Sequence, residues 1–307
     1  MIFLKYIKIG NNIENASAIA LGCMRIHALD NAQVEELIMT ALDNGINFFD
    51  HADIYGKGKS EELFGEFMKN HKDLRDKMII QTKCAIRPGY YDFSKEHIIE
   101  SVETSLKRMN LDYIDVLLLH RPDTLMEPEE VGEAFEELYK SGKVKNFGVS
   151  NHNMMQVELL KTGVNVPLVI NQLQLSIVNA GMITSGINVN MENKESVMHD
   201  GFLLEYSRLK NMTIQAWSPF RYGKAGVFLD NPDYPELNAE IDRLAEKYGV
   251  KNTAIAAAWI LRHPAKIQVI AGTTNKERLS DICKAADVDL TRQEWYSIYR
   301  SAGHHLP

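Results

Sequence analysis

Only three cysteines, Cys23, Cys84 and Cys283, are spread over the 307 residues. An odd, widely spaced set argues against a disulfide framework and fits a reducing cytoplasm. The chain has no run of about 18 apolar residues, so no membrane-spanning helix is expected. Its opening, MIFLKYIKIG, puts lysines inside the apolar stretch and lacks the layout of a signal peptide. Basic residues are not in excess: the formal net charge is -7, which argues against nucleic acid as the main partner. No G-x-G-x-x-G follows a strand-like run, so the usual open-sheet dinucleotide fingerprint is missing. A low-complexity linker is also absent, which predicts one domain over residues 1–307. The tail pair His304-His305 has no further ligands around it and reads as solvated, so no metal site is expected.

What the chain does have is an even alternation of strand-like and helix-like segments. Strands are expected at 16–21, 47–50, 78–83, 113–119, 146–149, 169–173, 213–217 and 268–271. Between them, Val34, Leu37, Ile38, Ala41 and Leu42 form a helical stripe. Further helices are expected at 60–68, along Ile98–Met109, and at 128–141, 153–161, 237–248, 253–262 and 276–285. Strand-then-helix alternation predicts parallel pairing, because the crossovers are helical. A count of eight favours an (α/β)8 TIM barrel over a doubly wound sheet. Residues 1–13 read as a small N-terminal β-hairpin outside the barrel, with Gly10-Asn11-Asn12 as turn. The stretch 174–200 lacks periodicity and reads as an extra loop after the sixth strand, on the active-site face.

Polar and aromatic groups gather just past the strand ends, where a parallel barrel builds its active site. They are Gly22-Cys23-Met24-Arg25, Asp50, Lys83-Cys84, His120, Ser150-Asn151, Gln172, Trp217-Ser218 and Gly272-Thr273. Tyr55 is the candidate proton donor. A free phenol has a pKa of about 10, and a neighbouring cation such as Lys83 is expected to lower it. Asp50 can hold the lysine, and His120 can orient a carbonyl oxygen or share in proton transfer. A buried Asp–Lys ion pair with Tyr55 as filler is the plain alternative. Cys84 neighbours Lys83 and so faces the other side of its strand, as packing. His51 and His152 read as supporting residues. The GKGKS run at 56–60 is not a phosphate loop, since Asp53 stands where that motif needs glycine; it reads as a turn followed by a helix start.

The segments LGCMR, NFFDHADIYG, IQTKC, DVLLLHRPD, FGVSNH, INQLQLS, IQAWSP and IAGTTNKER, in this order, resemble the aldo-keto reductase family across most of the chain. The resemblance implies a TIM barrel, a nicotinamide cofactor and a tetrad falling on Asp50, Tyr55, Lys83 and His120. It implies hydride transfer to an aldehyde or ketone, with Tyr55 protonating the oxygen. It also places Gly22, Cys23, Met24, Ser150, Asn151, Gln172, Trp217, Ser218, Phe220 and Tyr222 along the cofactor. Gly272, Thr273, Thr274 and Arg278 fall in the segment similar to the family's adenosine and 2′-phosphate site. Many relatives carry lysine where Gly272 stands, so NADPH is expected with Arg278 as anion partner, and NADH is the alternative. Arg25, Tyr55, His120 and Arg221 are the substrate-side candidates, with the 174–200 segment and the tail near Trp295 as further mouth elements. Two other functions remain open at this point. One is a cofactor-binding regulatory or auxiliary protein with a redox-sensing role; the other is a barrel lyase or isomerase using Lys83 as a Schiff base. Neither the particular carbonyl nor the oligomeric state is legible.

Overall fold

Side chains that alternate between two apolar environments explain the architecture. A computed structural model describes residues 4–10, 12–199, 201–222 and 226–306, so the expectations placed on residues 1–3, Asn11 and Asp200 lie outside the described residues. The chain opens with an antiparallel hairpin, β1 (Tyr6–Ile9) and β2 (Ile13–Ser17). Then come β3 (Ile19–Gly22), α1 (Asn31–Asp43), β4 (Phe48–Asp50), α2 (Lys59–Asn70) and β5 (Ile79–Cys84). A two-residue pair, β6 (Ile86–Arg87) and β7 (Tyr90–Tyr91), leads into α3 (Lys95–Met109) and β8 (Ile114–Leu119). Next are α4 (Pro128–Lys140), β9 (Val144–Ser150), α5 (Met154–Leu160) and β10 (Leu168–Gln174). The chain continues through α6 (Gly181–Ile187), α7 (Leu203–Leu209), β11 (Thr213–Trp217), α8 (Pro235–Tyr248) and α9 (Asn252–Leu261). It closes with β12 (Gln268–Ala271), α10 (Lys276–Cys283) and α11 (Arg292–Ser301).

The eight strands β3, β4, β5, β8, β9, β10, β11 and β12 form a closed barrel in which every pairing is parallel. This is the TIM barrel expected from the alternation. Successive strand residues face opposite ways, and the buried apolar residues divide accordingly. Ala20, Phe48, Val116, Leu118, Ile170 and Ile270 form an inner cluster, joined by Ile9, Ile13 and Ala16 of the hairpin. Their neighbours Leu21, Phe49, Leu117, Leu119, Val269 and Ala271 belong instead to the larger cluster between barrel and helices. The hairpin therefore closes the N-terminal end of the barrel, and each of its buried isoleucines contributes about 1.5–3 kcal/mol by leaving water. Among the described residues, no helix is long and apolar enough to cross a membrane.

Local chemistry explains several boundaries. Asp30 caps α1 reciprocally with Gln33, and Thr291 caps α11 with Glu294. Gly249, in the left-handed region at φ 66°, ends α8. Three differences from the sequence reading have clear causes. The hairpin runs on to Ser17, so the barrel strand begins at Ile19 rather than at 16. The 174–200 segment is not wholly irregular: it holds α6 and a short turn at Lys194–Ser196, with Asn188 Nδ2 closing α6 by donating to Thr184 O at 2.9 Å. Finally, His304 is docked rather than solvated: it stacks on Tyr299, and its Nε2 lies 2.7 Å from Ile177 O.

Candidate active site

At the C-terminal end of the barrel, a cleft of about 890 Å³ runs from Tyr55 and His120 to Arg278 and Asn252. At its floor, β4 delivers Asp50 and β5 delivers Lys83, both inward-facing and both buried. Lys83 Nζ donates to Asp50 Oδ1 at 2.7 Å, to His51 O at 2.7 Å and to the Tyr55 hydroxyl at 3.0 Å. Those three acceptors use all three ammonium donors. Tyr55 stands on a tight turn, Tyr55–Gly58, that follows β4. Gly56 and Gly58 are required there: φ is 58° and 93°, and a Cβ on Gly56 would lie 2.5 Å from His27 Cβ. The His120 ring meets Tyr55 edge-on, with centroids 6.0 Å apart.

The electrostatics partly reverse the expectation for Tyr55. Burial pushes its phenol up, and the pull of Lys83 in the other direction does not fully offset it, so the net shift is upward. Burial also disfavours the Lys83 ammonium, but Asp50 and Tyr55 outweigh it and raise its pKa. Lys83 is therefore an ammonium, and Tyr55 is a neutral O–H that receives a hydrogen bond from it. Burial, then Lys83 and Arg121, hold His120 well below the usual histidine range, so the imidazole is neutral. His51 is lowered to about 3 by burial and by Lys83; it packs edge-on against Phe64, and neither ring nitrogen has a partner. His152 lies on the far side, its Nδ1 2.9 Å from Ser150 O. Both histidines support the site without lining it.

Farther along the cleft, Ser150 Oγ donates to Gln172 O at 2.8 Å, and Asn151 Nδ2 donates to Ser150 Oγ at 2.7 Å. Trp217 Nε1 donates to Asn151 Oδ1 at 3.1 Å, fixing the indole beside the amide. Asn151 and Ser218 both have positive φ, 60° and 51°, so the backbone turns sharply at two strand ends facing the cleft. Arg25 reaches across from the turn after β3 to donate to Gly272 O at 2.8 Å. Gly22, Met24, Phe220, Arg221, Gly272, Thr273 and Arg278 also line the cleft.

Not every expected residue is there. Cys23 is fully buried behind β3, its Sγ 3.6 Å from Leu21 O. Thr274 and Tyr222 are exposed and lie outside the lining. Among the described residues, none of 174–199 lines the cleft, and neither does the tail: Trp295 is buried against Trp259, each indole donating to the other's backbone carbonyl. Arg121, Ile54, Leu229, Asp230, Asn252 and Thr253 line it without having been singled out from sequence. The Arg121 guanidinium sits 5.9 Å from the Trp217 ring. Arg121 directly follows His120 at a strand end, and that adjacency was the available signal.

The residues suit a dinucleotide. The cleft has about 890 Å³ of space, offers amide and hydroxyl groups at Ser150, Asn151 and Gln172, and has cations at Arg25 and Arg278. A side chain built on Gly272 would meet only Arg25 Nη1, at 4.0 Å, so the backbone there is open to a close-lying ligand.

Residues 18–302 match the Aldo/keto reductase family. The chain is 37% identical over 281 residues to a 6-dehydroglucose reductase of Agrobacterium fabrum, covering 88% of each. It is 37% identical over 290 residues to the uncharacterized oxidoreductase YcsN of Bacillus subtilis, covering 90% of this chain and 91% of that one. The fold also matches the crystal structure of an aldo/keto reductase from Klebsiella pneumoniae in complex with NADP and acetate, with a TM-score of 0.77 and 22% identity over 99% of this chain and 97% of that one. The chain belongs to the aldo/keto reductase family.

Proposed function

We propose that the protein reduces an aldehyde or ketone to an alcohol with NADPH, and that Tyr55 gives the carbonyl oxygen its proton. The observation that carries this reading is the buried chain Asp50–Lys83–Tyr55, which ends in a hydroxyl at the cleft floor. A bound nicotinamide cofactor would supply the hydride. As negative charge grows on the carbonyl oxygen, the Tyr55 O–H donates to it, and the Lys83 ammonium 3.0 Å behind stabilises the phenolate left behind. Neutral His120 can donate one N–H to the same oxygen and fix the carbonyl's angle. Asp50 keeps Lys83 charged and in place.

Ser150, Asn151 and Gln172 would hold the carboxamide of the cofactor, and Trp217 would pack on its ring. Gly22, Met24, Ser218 and Phe220 would follow its length. Arg278 and Arg25 would meet its phosphates, which favours NADPH over NADH although Gly272 brings no lysine. Arg25 fits this end better than the substrate end because it is tied to Gly272 O. Arg221 and Arg121 remain for the substrate side. The three cysteines are buried and free, which supports a reducing compartment such as the cytoplasm.

The test is NADPH oxidation by purified protein against a carbonyl panel, repeated with NADH. 6-Dehydroglucose is the first carbonyl to try, given the relative of that name. Turnover with NADPH exceeding that with NADH is expected; a panel with no turnover by either cofactor would remove the reading.

A further inference from the structure

Inside the barrel, four glutamines from four strands lead away from Asp50. They are Gln81 on β5, Gln172 on β10, Gln215 on β11 and Gln268 on β12, and all are buried. Gln81 Nε2 and Gln172 Nε2 donate to Asp50 Oδ1 at 2.6 and 3.1 Å. The same two nitrogens donate to Gln215 Oε1, both at 2.9 Å. Gln215 Nε2 donates to Gln81 Oε1 at 3.2 Å and to Gln268 Oε1 at 2.8 Å. Gln268 Nε2 donates to the backbone carbonyl of Ser17 at 2.6 Å, at the join between hairpin and barrel. Every amide nitrogen in this chain has a partner. That is what a polar network in a dry core requires, since an unpaired member is costly.

The direction of the chain is forced from its ends. A backbone carbonyl can only accept, so Gln268 must turn its nitrogen to Ser17 and its oxygen to Gln215. Gln215 must then give its nitrogen to Gln268, which aims its oxygen at Gln81 and Gln172. Those two are left presenting nitrogen, not oxygen, to Asp50. A reversed amide at Asp50 would set a carbonyl oxygen against a carboxylate that already holds Lys83. Gln268 lines no part of the cleft.

We propose that Gln268 is a positioning residue for the acid–base group: through Gln215 it fixes which atom of Gln81 and Gln172 faces Asp50. The inference rests on Asp50, Lys83 and Tyr55 being that group. It assigns a role in the reaction to a side chain that touches neither substrate nor cofactor.

The test uses Gln268→Met, which keeps the volume and removes both hydrogen bonds, beside Val269→Ala, a cavity-forming change on the outer face of the same strand. Gln268→Met should lower kcat about tenfold, as expected for loosening hydrogen bonds to a charged group, with KM for NADPH within about twofold. Val269→Ala should lose thermal stability and keep kcat. In a Gln215→Met background, Gln268→Met should lower kcat no further, because the path is already cut. Wild-type kcat in Gln268→Met, or additive losses in the double variant, would overturn the proposal. A measurement on the wild type covers both a variant that fails to fold and a protein that turns nothing over. In ¹⁵N-labelled protein, the side-chain amides of the four glutamines should exchange with solvent at least about a hundredfold more slowly than that of exposed Gln293. Exchange at the rate of Gln293 would overturn the network whether or not any carbonyl is reduced. Protected amides in a protein inactive toward every carbonyl would uphold the network and count only against the reductase reading.

Discussion

Replacing Lys83 with methionine removes the ammonium that donates to both Asp50 and Tyr55. Lys83 is fully buried and its three hydrogen bonds span 2.7 to 3.0 Å, so the change is felt in stability and in rate by separate routes. For stability, removing one partner of a buried pair costs about 3–5 kcal/mol, because the other charge is left stranded. Gln81 and Gln172 still donate to Asp50, which favours the lower end, about 3 kcal/mol. For rate, a unit charge 3.0 Å from the developing phenolate interacts with it by about 5 kcal/mol at an effective dielectric of 20. Partial compensation by water entering the site would leave about half of that, a loss in kcat of about 10²-fold. The double variant Lys83→Met/Asp50→Asn separates the two effects. It has no stranded carboxylate, so urea denaturation should show most of the stability recovered, while stopped-flow reduction should remain as slow as in the single variant. Recovery of the rate along with stability would refute the argument, as would a single variant that loses less than about 1 kcal/mol.

The remaining predictions concern charge and space nearby. Burial and the neighbouring Glu61 carboxylate raise Asp53 from 3.8 to about 7. An acid raised in the folded state binds its proton more tightly when folded, so its stabilising effect is complete below 3.8 and is lost as pH rises to about 7. Asp53→Asn should therefore flatten the fall in stability across that window and gain roughly 2–4 kcal/mol above pH 7, read by denaturant titration at several pH values. Gly272→Lys enters open space, since the nearest atom to its Cβ is Arg25 Nη1 at 4.0 Å. It should tighten NADPH about tenfold and leave NADH within about twofold in fluorescence titration, as expected for one added charge-assisted contact to a phosphate.

Much of this was legible because barrel strands and their ends have strong signatures. The strand at 213–217 and the one at 268–271 are seen at those bounds, since each is a short, mostly apolar run flanked by polar residues. The start of β3 was misplaced because Ala16 and Ser17 are extended strand residues directly ahead of Ile19 and Ala20 while pairing with a different partner. Local sequence does not encode that partner. Asp50, Tyr55, Lys83 and His120 could be grouped because each lies at or just past the C-terminal end of a strand-like run, but the direction of the Tyr55 shift could not be read, because burial is a property of the assembled cleft. The glutamine chain was missed for a related reason. IQTKC, INQLQ, TIQAW and IQVI each carry a glutamine inside a buried strand, a signal that is weak singly. Only closure of the barrel brings the four together. The described residues of 174–199 stay out of the cleft lining for a packing reason: Leu175, Ile177, Met182 and Ile183 are used in the outer core.

The central claim is that Tyr55 is the proton donor, and single-turnover reduction by Tyr55→Phe tests it most directly. The substitution removes one oxygen atom from a residue whose ring stays in place, so NADPH affinity by fluorescence titration should remain within about twofold. The hydride-transfer rate should fall by at least about 10³-fold, within the range that general-acid catalysis supplies. A Phe variant that reduces the carbonyl at the wild-type rate would contradict the account, because no other hydroxyl is held by Lys83 at the floor of the cleft among the described residues.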